Sequence, residues 1–182
     1  MNEYLRKVSH LIVGLCIAGI IWFLPKEISI PGIAISLLVG LGLIDLSIKK
    51  YYLPGITELL VLMERDGEFP GKGAFFFVLS ALVVTIVFPV PVAAISVGVL
   101  ALLDSVSAIA GIRFGKHRIW NGKSLEGFLA GFLVGAVFLL LFISPVFAIL
   151  LSLFAGIIEL VSPIDDNLVL PISVAIPLVF IL

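Results

Sequence analysis

Residues 73–103 read GAFFFVLSALVVTIVFPVPVAAISVGVLALL and contain no charged side chain. A second uncharged stretch runs from Gly127 to Ile158. A transmembrane helix needs about 20 consecutive apolar residues, and both stretches are longer than that. The chain of 182 residues is 62% hydrophobic and 13% charged, whereas about a quarter of the residues in a soluble domain are charged. The sequence therefore predicts an all-α, polytopic membrane protein that forms a single domain, residues 1–182.

Seven apolar segments predict about seven transmembrane helices. Their approximate bounds are 8–24, 31–48, 73–88, 91–112, 125–143, 146–160 and 168–182. Several breaks coincide with prolines, which interrupt helices because they lack the backbone N–H. The last two segments are short, and tilted or partly re-entrant helices would both fit them. The charged start of the chain is typical of a signal peptide, but no small-residue cleavage site follows, so we expect a retained first helix.

The distribution of lysine and arginine predicts the orientation, since cytoplasmic loops carry an excess of basic residues. With the N-terminus inside, ten of the eleven basic residues are cytoplasmic, and Lys26 is the exception. The cytoplasmic segments are then about 1–7, 49–72, 113–124 and 161–167. With seven spans, the C-terminus is external. Within residues 55–69, a short helix could lie in the membrane interface or pack against a loop, with its apolar face formed by Ile56, Leu59, Leu60 and Met63.

Asp104 lies within an apolar segment, about two to three helical turns from its cytoplasmic end. An ionisable residue at membrane depth is costly and is by default a functional candidate. The alternative is an aspartate that is satisfied by serine hydroxyls or by a neighbouring lysine. Ser105, Ala108 and Gly111 are small and would let a ligand or another helix approach closely. The position therefore favours a functional role for Asp104.

A basic stretch, FGKHRIWNGKSLEG at residues 114–127, follows that segment. It ends like a phosphate-binding P-loop, but six residues separate its glycines where that motif has four. Anchoring at the cytoplasmic face explains such a cluster by itself. Its glycines permit close backbone approach, and the N-terminus of the following helix attracts phosphate. The candidate residues are Arg113, Gly115, Lys116, His117, Lys123 and Ser124, together with Glu126, which the first turn of a helix would favour anyway.

Carboxylates gather again near the end of the chain, in the stretch ELVSPIDDNLVLP. Glu159 lies one turn before the end of the sixth segment, and Asp165 and Asp166 lead into the seventh. Hard oxygen ligands of this kind suit Mg²⁺, which takes one or two carboxylates plus phosphate oxygens. A helix cap is the alternative, but it requires only one such residue. At the other end of the chain, the stretch RKVSH places Arg6, Lys7 and His10 on one helical face, which alone indicates membrane anchoring.

In this order, these motifs resemble a family of membrane lipid kinases that includes dolichol kinase, phytol kinase and the CTP-dependent diacylglycerol kinase of yeast. The family pattern is R-K-x-x-H, then D-x-x-A-x-x-x-G-x-x-x-G, then K-S-x-E-G, and finally a late glutamate with D-D-N-x-x-x-P. Here Leu103 stands where many relatives have glycine, and Ser107 replaces a common alanine. Neither difference removes a charge, and the resemblance covers nearly the whole chain.

The resemblance implies transfer of the γ-phosphate of CTP, or of another nucleoside triphosphate, to a lipid alcohol at the cytoplasmic membrane face. Lys123, Arg113 and Lys116 would then hold the triphosphate, and the further nucleotide-binding candidates are Gly115, His117, Ser124, Glu126, Arg6, Lys7 and His10. Asp165 and Asp166, with Glu159, would hold Mg²⁺. Asp104 would either complete the metal site or accept the proton of the lipid hydroxyl. A prenyl alcohol or polyprenol is the preferred acceptor, with diacylglycerol as an alternative.

Other functions stay open at this point. The CDP-lipid synthases share an aspartate–glycine helix and a similar lysine element, but their late signature is D-R-x-D rather than D-D-N. A proton-coupled transporter of an anionic solute would predict symmetry between two halves, which the sequence lacks. A membrane assembly subunit would not explain why every polar cluster shares one face. The net charge of −1 gives no indication of a nucleic-acid partner, and the oligomeric state is left open.

Overall fold

The computed structural model of the chain describes residues 3–58 and 70–182. Its long helices are α1 (Glu3–Phe23), α2 (Lys26–Ile48), α3 (Lys72–Val87), α4 (Val90–Phe114), α5 (Leu125–Leu139), α6 (Pro145–Val161) and α7 (Asp166–Leu178). A short antiparallel hairpin, β1 (Arg118–Trp120) and β2 (Lys123–Ser124), lies between α4 and α5. The all-α prediction is confirmed. Most of the proposed interfacial helix, which includes Leu59, Leu60 and Met63, lies outside the described residues.

Each helix corresponds to one of the predicted apolar segments, but two of them begin earlier than hydropathy suggests. Helix α1 includes the polar residues Glu3 to Lys7, and α2 begins at Lys26, so that Pro31 lies inside it. Charged residues end an apolar segment without ending a helix, because Glu, Lys and Arg are good helix formers. The other prolines behave as expected: Pro25 and Pro89 are N-cap residues, and Pro145 is the first residue of α6.

Helix α4 is the centre of the bundle. In its most apolar part 78% of the residues are buried, compared with 11% in α1 and in α2. It packs most extensively against α5 and α1, and it also contacts α7 and α3. Helix α6 packs on α5 and α7, while α2 packs mainly on α3. This arrangement explains why the sequence of α4 is almost entirely apolar up to Asp104.

Small residues bring α4 and α5 into close contact. A Cβ atom on Gly127 would lie 2.5 Å from the carbonyl oxygen of Ser107, and one on Gly131 would lie 2.9 Å from the Ser107 Cβ. Both distances are too short for side chains, so these positions require glycine. Close backbone approach of this kind is typical of helices that pack within membranes. The contact holds the N-terminal part of α5 next to the part of α4 that carries Asp104.

Within the described residues, three helices are long and apolar enough to cross a membrane, namely α1, α2 and α4. The remaining apolar helices have 13 to 17 residues. The chain is thus a membrane protein by the length and composition of its helices, whereas seven spans and a cytoplasmic N-terminus stay predictions. Lys26, the basic residue that departs from the charge rule, donates hydrogen bonds to the carbonyl oxygens of Ile86 (3.3 Å) and Phe88 (2.7 Å). These bonds satisfy carbonyl groups at the end of α3.

Candidate functional site

The separate polar motifs converge on one cavity of about 400 Å³ at the end of the bundle where α1, α3 and α7 begin and α4 and α6 end. Its walls come from these five helices, from the first turns of α5 and from the hairpin. Eight of the predicted site residues line it: Arg6, Lys7, Asp104, Lys123, Ser124, Glu159, Asp165 and Asp166. Because the chain passes through this end of the bundle several times, residues far apart in sequence meet there.

Asp104 forms a buried ion pair with Lys7. The Lys7 Nζ atom donates hydrogen bonds to both carboxylate oxygens, at 2.7 Å and 2.6 Å. Lys7 is 8% exposed and Asp104 is 1% exposed. His10 lies one turn further along α1, with its Nε2 atom 3.6 Å from the carboxylate. The alternative interpretation of Asp104, a carboxylate paired with a lysine, therefore describes one part of its surroundings.

Lys123 forms a second cluster with Glu159 and Asp166. Its Nζ atom donates to the Glu159 carboxylate at 2.6 Å, to the Glu159 carbonyl at 2.5 Å and to Asp166 at 3.0 Å. Burial by itself would lower the pKa of Lys123, but the carboxylates of Asp166 and Glu159 outweigh it and raise this pKa above its ordinary value. The ammonium group is therefore charged at neutral pH. Ser107 also donates to the Glu159 carboxylate, at 3.1 Å.

The two clusters share a possible metal site. One carboxylate oxygen from each of Asp104, Glu159 and Asp166 lies within 4.8 Å of the other two. Three carboxylates next to two ammonium groups leave an excess of negative charge, which suits a divalent cation. The ligand atoms of all three residues are hard carboxylate oxygens of the kind that Mg²⁺ prefers. The residues thus fit the predicted metal, although the close group contains Asp104 instead of Asp165.

Asp165 caps helix α7. Its Oδ1 atom accepts hydrogen bonds from the Asn167 backbone N–H (3.2 Å) and from the Asn167 side-chain amide (2.8 Å). Burial raises the pKa of Asp165, and the bonds from Asn167 partly oppose the shift. The amide orientation leaves the Asn167 Oδ1 atom without a donor among the described residues, although this side chain is buried and lines the cavity. Asp165 therefore positions Asn167 while its neighbour Asp166 reaches Lys123.

Glu126 organises the hairpin from outside the cavity. Its carboxylate accepts hydrogen bonds from the backbone N–H groups of Lys116 (3.1 Å) and His117 (3.3 Å), and it lies 2.7 Å from the His117 Nδ1 atom. The Ser124 hydroxyl caps α5 by accepting from the Gly127 N–H. These contacts fix both ends of the segment that carries Lys123.

Several predicted nucleotide-binding residues lie outside the cavity lining. These are Arg113, Gly115, Lys116, His117 and Glu126, and His10 lies behind Lys7. The Arg113 guanidinium lies over the ring of Phe114, 5.5 Å from its centre. Gly115 is required for packing, since a Cβ atom there would lie 2.7 Å from the Ser124 hydroxyl.

Sequence reasoning did not single out Ser107, Arg118 or Asn121 as site residues, although all three line the cavity. Arg118 donates to the Gly122 carbonyl at 2.7 Å, across the turn of the hairpin. Asn121 adopts a left-handed backbone conformation with φ of 47°. The dipeptide Asn-Gly between short strands is a strong hairpin signal and would have predicted this turn.

The structure thus defines an all-α membrane protein whose helix bundle holds a buried site of carboxylates and lysines at one end. The chain belongs to the same family as an uncharacterised protein of Methanocaldococcus jannaschii, to which it is 38% identical over 181 residues, or 96% of this chain and 92% of that protein. An uncharacterised protein of Rickettsia prowazekii is 29% identical over 137 residues, which cover 69% of this chain and 66% of the relative.

A third relative has a stated activity. The dolichol kinase of Schizosaccharomyces pombe is 42% identical over 96 residues, which cover 44% of this chain but only 19% of the yeast protein. The chain is therefore related to a dolichol kinase over part of its length. No protein-family model and no solved structure matches the chain.

Proposed function

We propose that this protein is a lipid-alcohol kinase that transfers the γ-phosphate of CTP, or of another nucleoside triphosphate, to a prenyl alcohol or polyprenol. The observation that carries the proposal is the meeting of Asp104, Glu159 and Asp166 with two lysines in one cavity at the end of an apolar bundle. Such a site suits a charged triphosphate together with an alcohol whose hydrocarbon tail stays in the apolar surroundings. The partial similarity to a dolichol kinase supports the same reaction.

Phosphoryl transfer requires positioning and charge neutralisation more than covalent help from the protein. The alcohol oxygen forms a bond to the γ-phosphorus, and the bond from this phosphorus to the β,γ-bridging oxygen breaks. CDP leaves with the electron pair of that bond. The proton of the hydroxyl passes to a carboxylate, for which Asp104 is the candidate. Mg²⁺ would be held by Glu159 and Asp166, with Asp104 as a third ligand only in the alternative in which it does not accept the proton, and would neutralise the phosphate oxygens.

Lys123 is the candidate for binding the triphosphate inside the cavity. It is already charged, and it would exchange one of its three hydrogen bonds to Glu159 and Asp166 for a bond to a phosphate oxygen. Arg118 lines the same cavity and is a further candidate, in place of Arg113 and Lys116. Lys7 holds Asp104 in position. In this proposal, Arg113 lies over the Phe114 ring and the Lys116 backbone N–H bonds Glu126, and neither side chain binds phosphate.

The proposal places the site at the cytoplasmic face of a multi-pass protein of the cell membrane. Four of the basic residues that predict this orientation, Arg6, Lys7, Arg118 and Lys123, line the cavity. Nucleoside triphosphates are cytoplasmic, while the hydrocarbon tail of the acceptor would stay in the bilayer. Only its hydroxyl must reach the interface.

The test is an assay of purified protein with Mg²⁺, CTP labelled at both the base and the γ-phosphate, and a panel of lipids. The panel contains geranylgeraniol, a polyprenol, diacylglycerol and phosphatidic acid. We expect CDP together with a γ-labelled prenyl phosphate. Release of pyrophosphate with a CDP-lipid would identify a CDP-lipid synthase instead, and phosphorylation of diacylglycerol alone would overturn the choice of acceptor. Asp166→Asn serves as the inactive control, and Asp45→Asn, at an exposed surface pair, serves as the matched active control.

A further inference from the structure

An apolar groove lies between α2 and α3, close to the polar cavity. Its volume is about 170 Å³, and residues of the two helices that line it include Leu37, Gly40 and Ile44 from α2 and Phe75 and Val78 from α3. Its surface is almost entirely apolar, in contrast to the charged cavity. The groove extends from the N-terminal turn of α3 towards the middle of both helices.

The first turn of α3 separates the groove from the cavity. Gly71 and Ala74 line the groove, whereas Gly73 lines the cavity. The two spaces therefore lie on opposite sides of a single helical turn that contains two glycines. A Cβ atom on Gly73 would lie 3.5 Å from the Asn167 amide nitrogen, so the cavity side of this turn faces the site.

The cavity side also carries Asn167, whose side-chain amide can bond a hydroxyl group. Asn167 is 7% exposed, and its Nδ2 atom donates to Asp165, which leaves the Oδ1 atom without a donor among residues 3–58 and 70–182. A hydroxyl oxygen that enters beside Gly73 would meet the Asn167 Nδ2 atom, which has a second N–H to donate, and the hydroxyl proton would stay available for a carboxylate.

We infer that the groove between α2 and α3 binds the hydrocarbon chain of a single-chain lipid alcohol, whose hydroxyl passes the α3 N-terminus into the cavity. This inference rests on the proposed function, which makes the bound alcohol the acceptor of the phosphate. The binding itself needs no turnover. Pockets that enclose a drug-sized ligand hold about 300–1,000 Å³, so a groove of this volume suits a segment of one chain rather than two. A prenyl alcohol therefore fits better than diacylglycerol.

A second apolar groove provides the competing location. It lies between α6 and α7, holds about 370 Å³ and includes Phe147, Phe154 and Ile176. Its residue nearest to Glu159 along α6 is Phe154, five positions away, or about 7.5 Å along the helix axis. Only the first turn of α3 separates the groove between α2 and α3 from the cavity, which is why we choose it.

The first experiment labels the unmodified protein in lipid nanodiscs with geranylgeraniol that carries a photoreactive diazirine on its chain. We expect adducts on residues 36–44 and 71–78, abolished by excess unlabelled geranylgeraniol but not by excess phospholipid. Adducts that concentrate on the α6–α7 groove, or labelling that the alcohol fails to displace, would overturn the inference. Neither result depends on kinase activity, so the failure of this inference and the failure of the proposed function are distinguishable.

The second experiment fills the groove. A Cβ atom on Gly40 or on Gly42 has no neighbour within 4 Å, so a larger side chain at either position meets no described atom at its base. Gly40 lines the groove, whereas Gly42 is exposed on the same helix outside its lining. We expect Gly40→Phe to weaken displaceable labelling about tenfold through loss of buried chain, and Gly42→Phe to change it less than about twofold. Equal effects in two variants of unchanged thermal stability would refute the assignment.

Discussion

Lys7 and Asp104 are 97 residues apart in sequence, yet the Lys7 Nζ atom lies within 2.7 Å of both Asp104 carboxylate oxygens. The pair joins the first helix to the most buried helix of the bundle. Breaking a buried ion pair leaves an uncompensated charge, which costs far more than the intact pair contributes. Substitutions at either residue therefore change the stability of the protein as well as the chemistry of the site.

Lys7→Met should destabilise the protein by about 3–5 kcal/mol because it leaves the Asp104 carboxylate buried and unpaired. The double variant Lys7→Met with Asp104→Leu should recover most of this loss, since an apolar pair of similar volume carries no buried charge. Unfolding in mild detergent, followed by circular dichroism, measures both effects. A double variant as unstable as the sum of the single variants would contradict a direct interaction. Because Asp104→Asn also weakens this ion pair, its activity must be compared with that of the unmodified protein at equal amounts of folded protein.

Substitution of a carboxylate at the proposed metal site should lower activity in a way that depends on the Mg²⁺ concentration, unlike substitution of other acidic residues. Asp166→Asn and Glu159→Gln should each lower kcat/KM by about 100-fold or more at a fixed Mg²⁺ concentration, because each removes charge from the proposed metal site. Part of the loss should return at higher Mg²⁺. The substitution Asp45→Asn, at an exposed position, should change neither kcat/KM nor its dependence on Mg²⁺. Metal removal with EDTA should abolish turnover reversibly, and activity that persists in EDTA would exclude the metal assignment.

The α4–α5 contact should not tolerate an added methyl group. Gly131→Ala places a Cβ atom 2.9 Å from the Ser107 Cβ and 3.0 Å from the Leu103 carbonyl oxygen. Overpacking of this kind typically costs about 1–3 kcal/mol. Gly19→Ala, where a Cβ atom has no neighbour within 4 Å, should be neutral or slightly stabilising because alanine favours helices. The melting temperatures of the two variants are measured in parallel. Equal values would show that the α4–α5 contact tolerates an added methyl group.

The predicted orientation can be tested with single cysteines in a Cys16→Ala background. His117 is exposed on the hairpin side of the bundle, and Glu27 is exposed at the opposite end, next to the start of α2. A membrane-impermeant maleimide should label Glu27→Cys in intact cells, and it should label His117→Cys only after the membrane is permeabilised. Labelling of His117→Cys in intact cells would reverse the orientation and would place the cavity outside the cytoplasm.

The helices and the convergence of the polar motifs were predictable because charge is excluded from lipid. Long uncharged stretches located α3 to α6, and the clustering of charges located the end of the bundle where the site lies. The sequence did not reveal which charges pair. Arg6 and Lys7 are adjacent and carry the same charge, but the helical rotation turns Lys7 towards Asp104, while Arg6 forms a pair with Glu3 at 3.0 Å.

The same difficulty separates Asp165 from Asp166. Both are aspartates at the start of the last helix, so composition favours neither as a metal ligand. The helix begins at Asp166, which makes Asp165 the cap, with its Oδ1 atom committed to Asn167. Asp166 then projects towards Lys123. A shift of one residue in the helix start would exchange these roles, and hydropathy does not fix a helix boundary to one residue.

The ion pairs also impose an order on how the site matures during synthesis. Lys7 leaves the ribosome first, Asp104 follows in the fourth of the described helices, and Asp166 belongs to the last of them. A nascent chain that still lacks α7 holds Lys123 with only one of its two carboxylate partners. Insertion of α7 therefore completes the set of ion pairs at the site, because it brings Asp166 to Lys123.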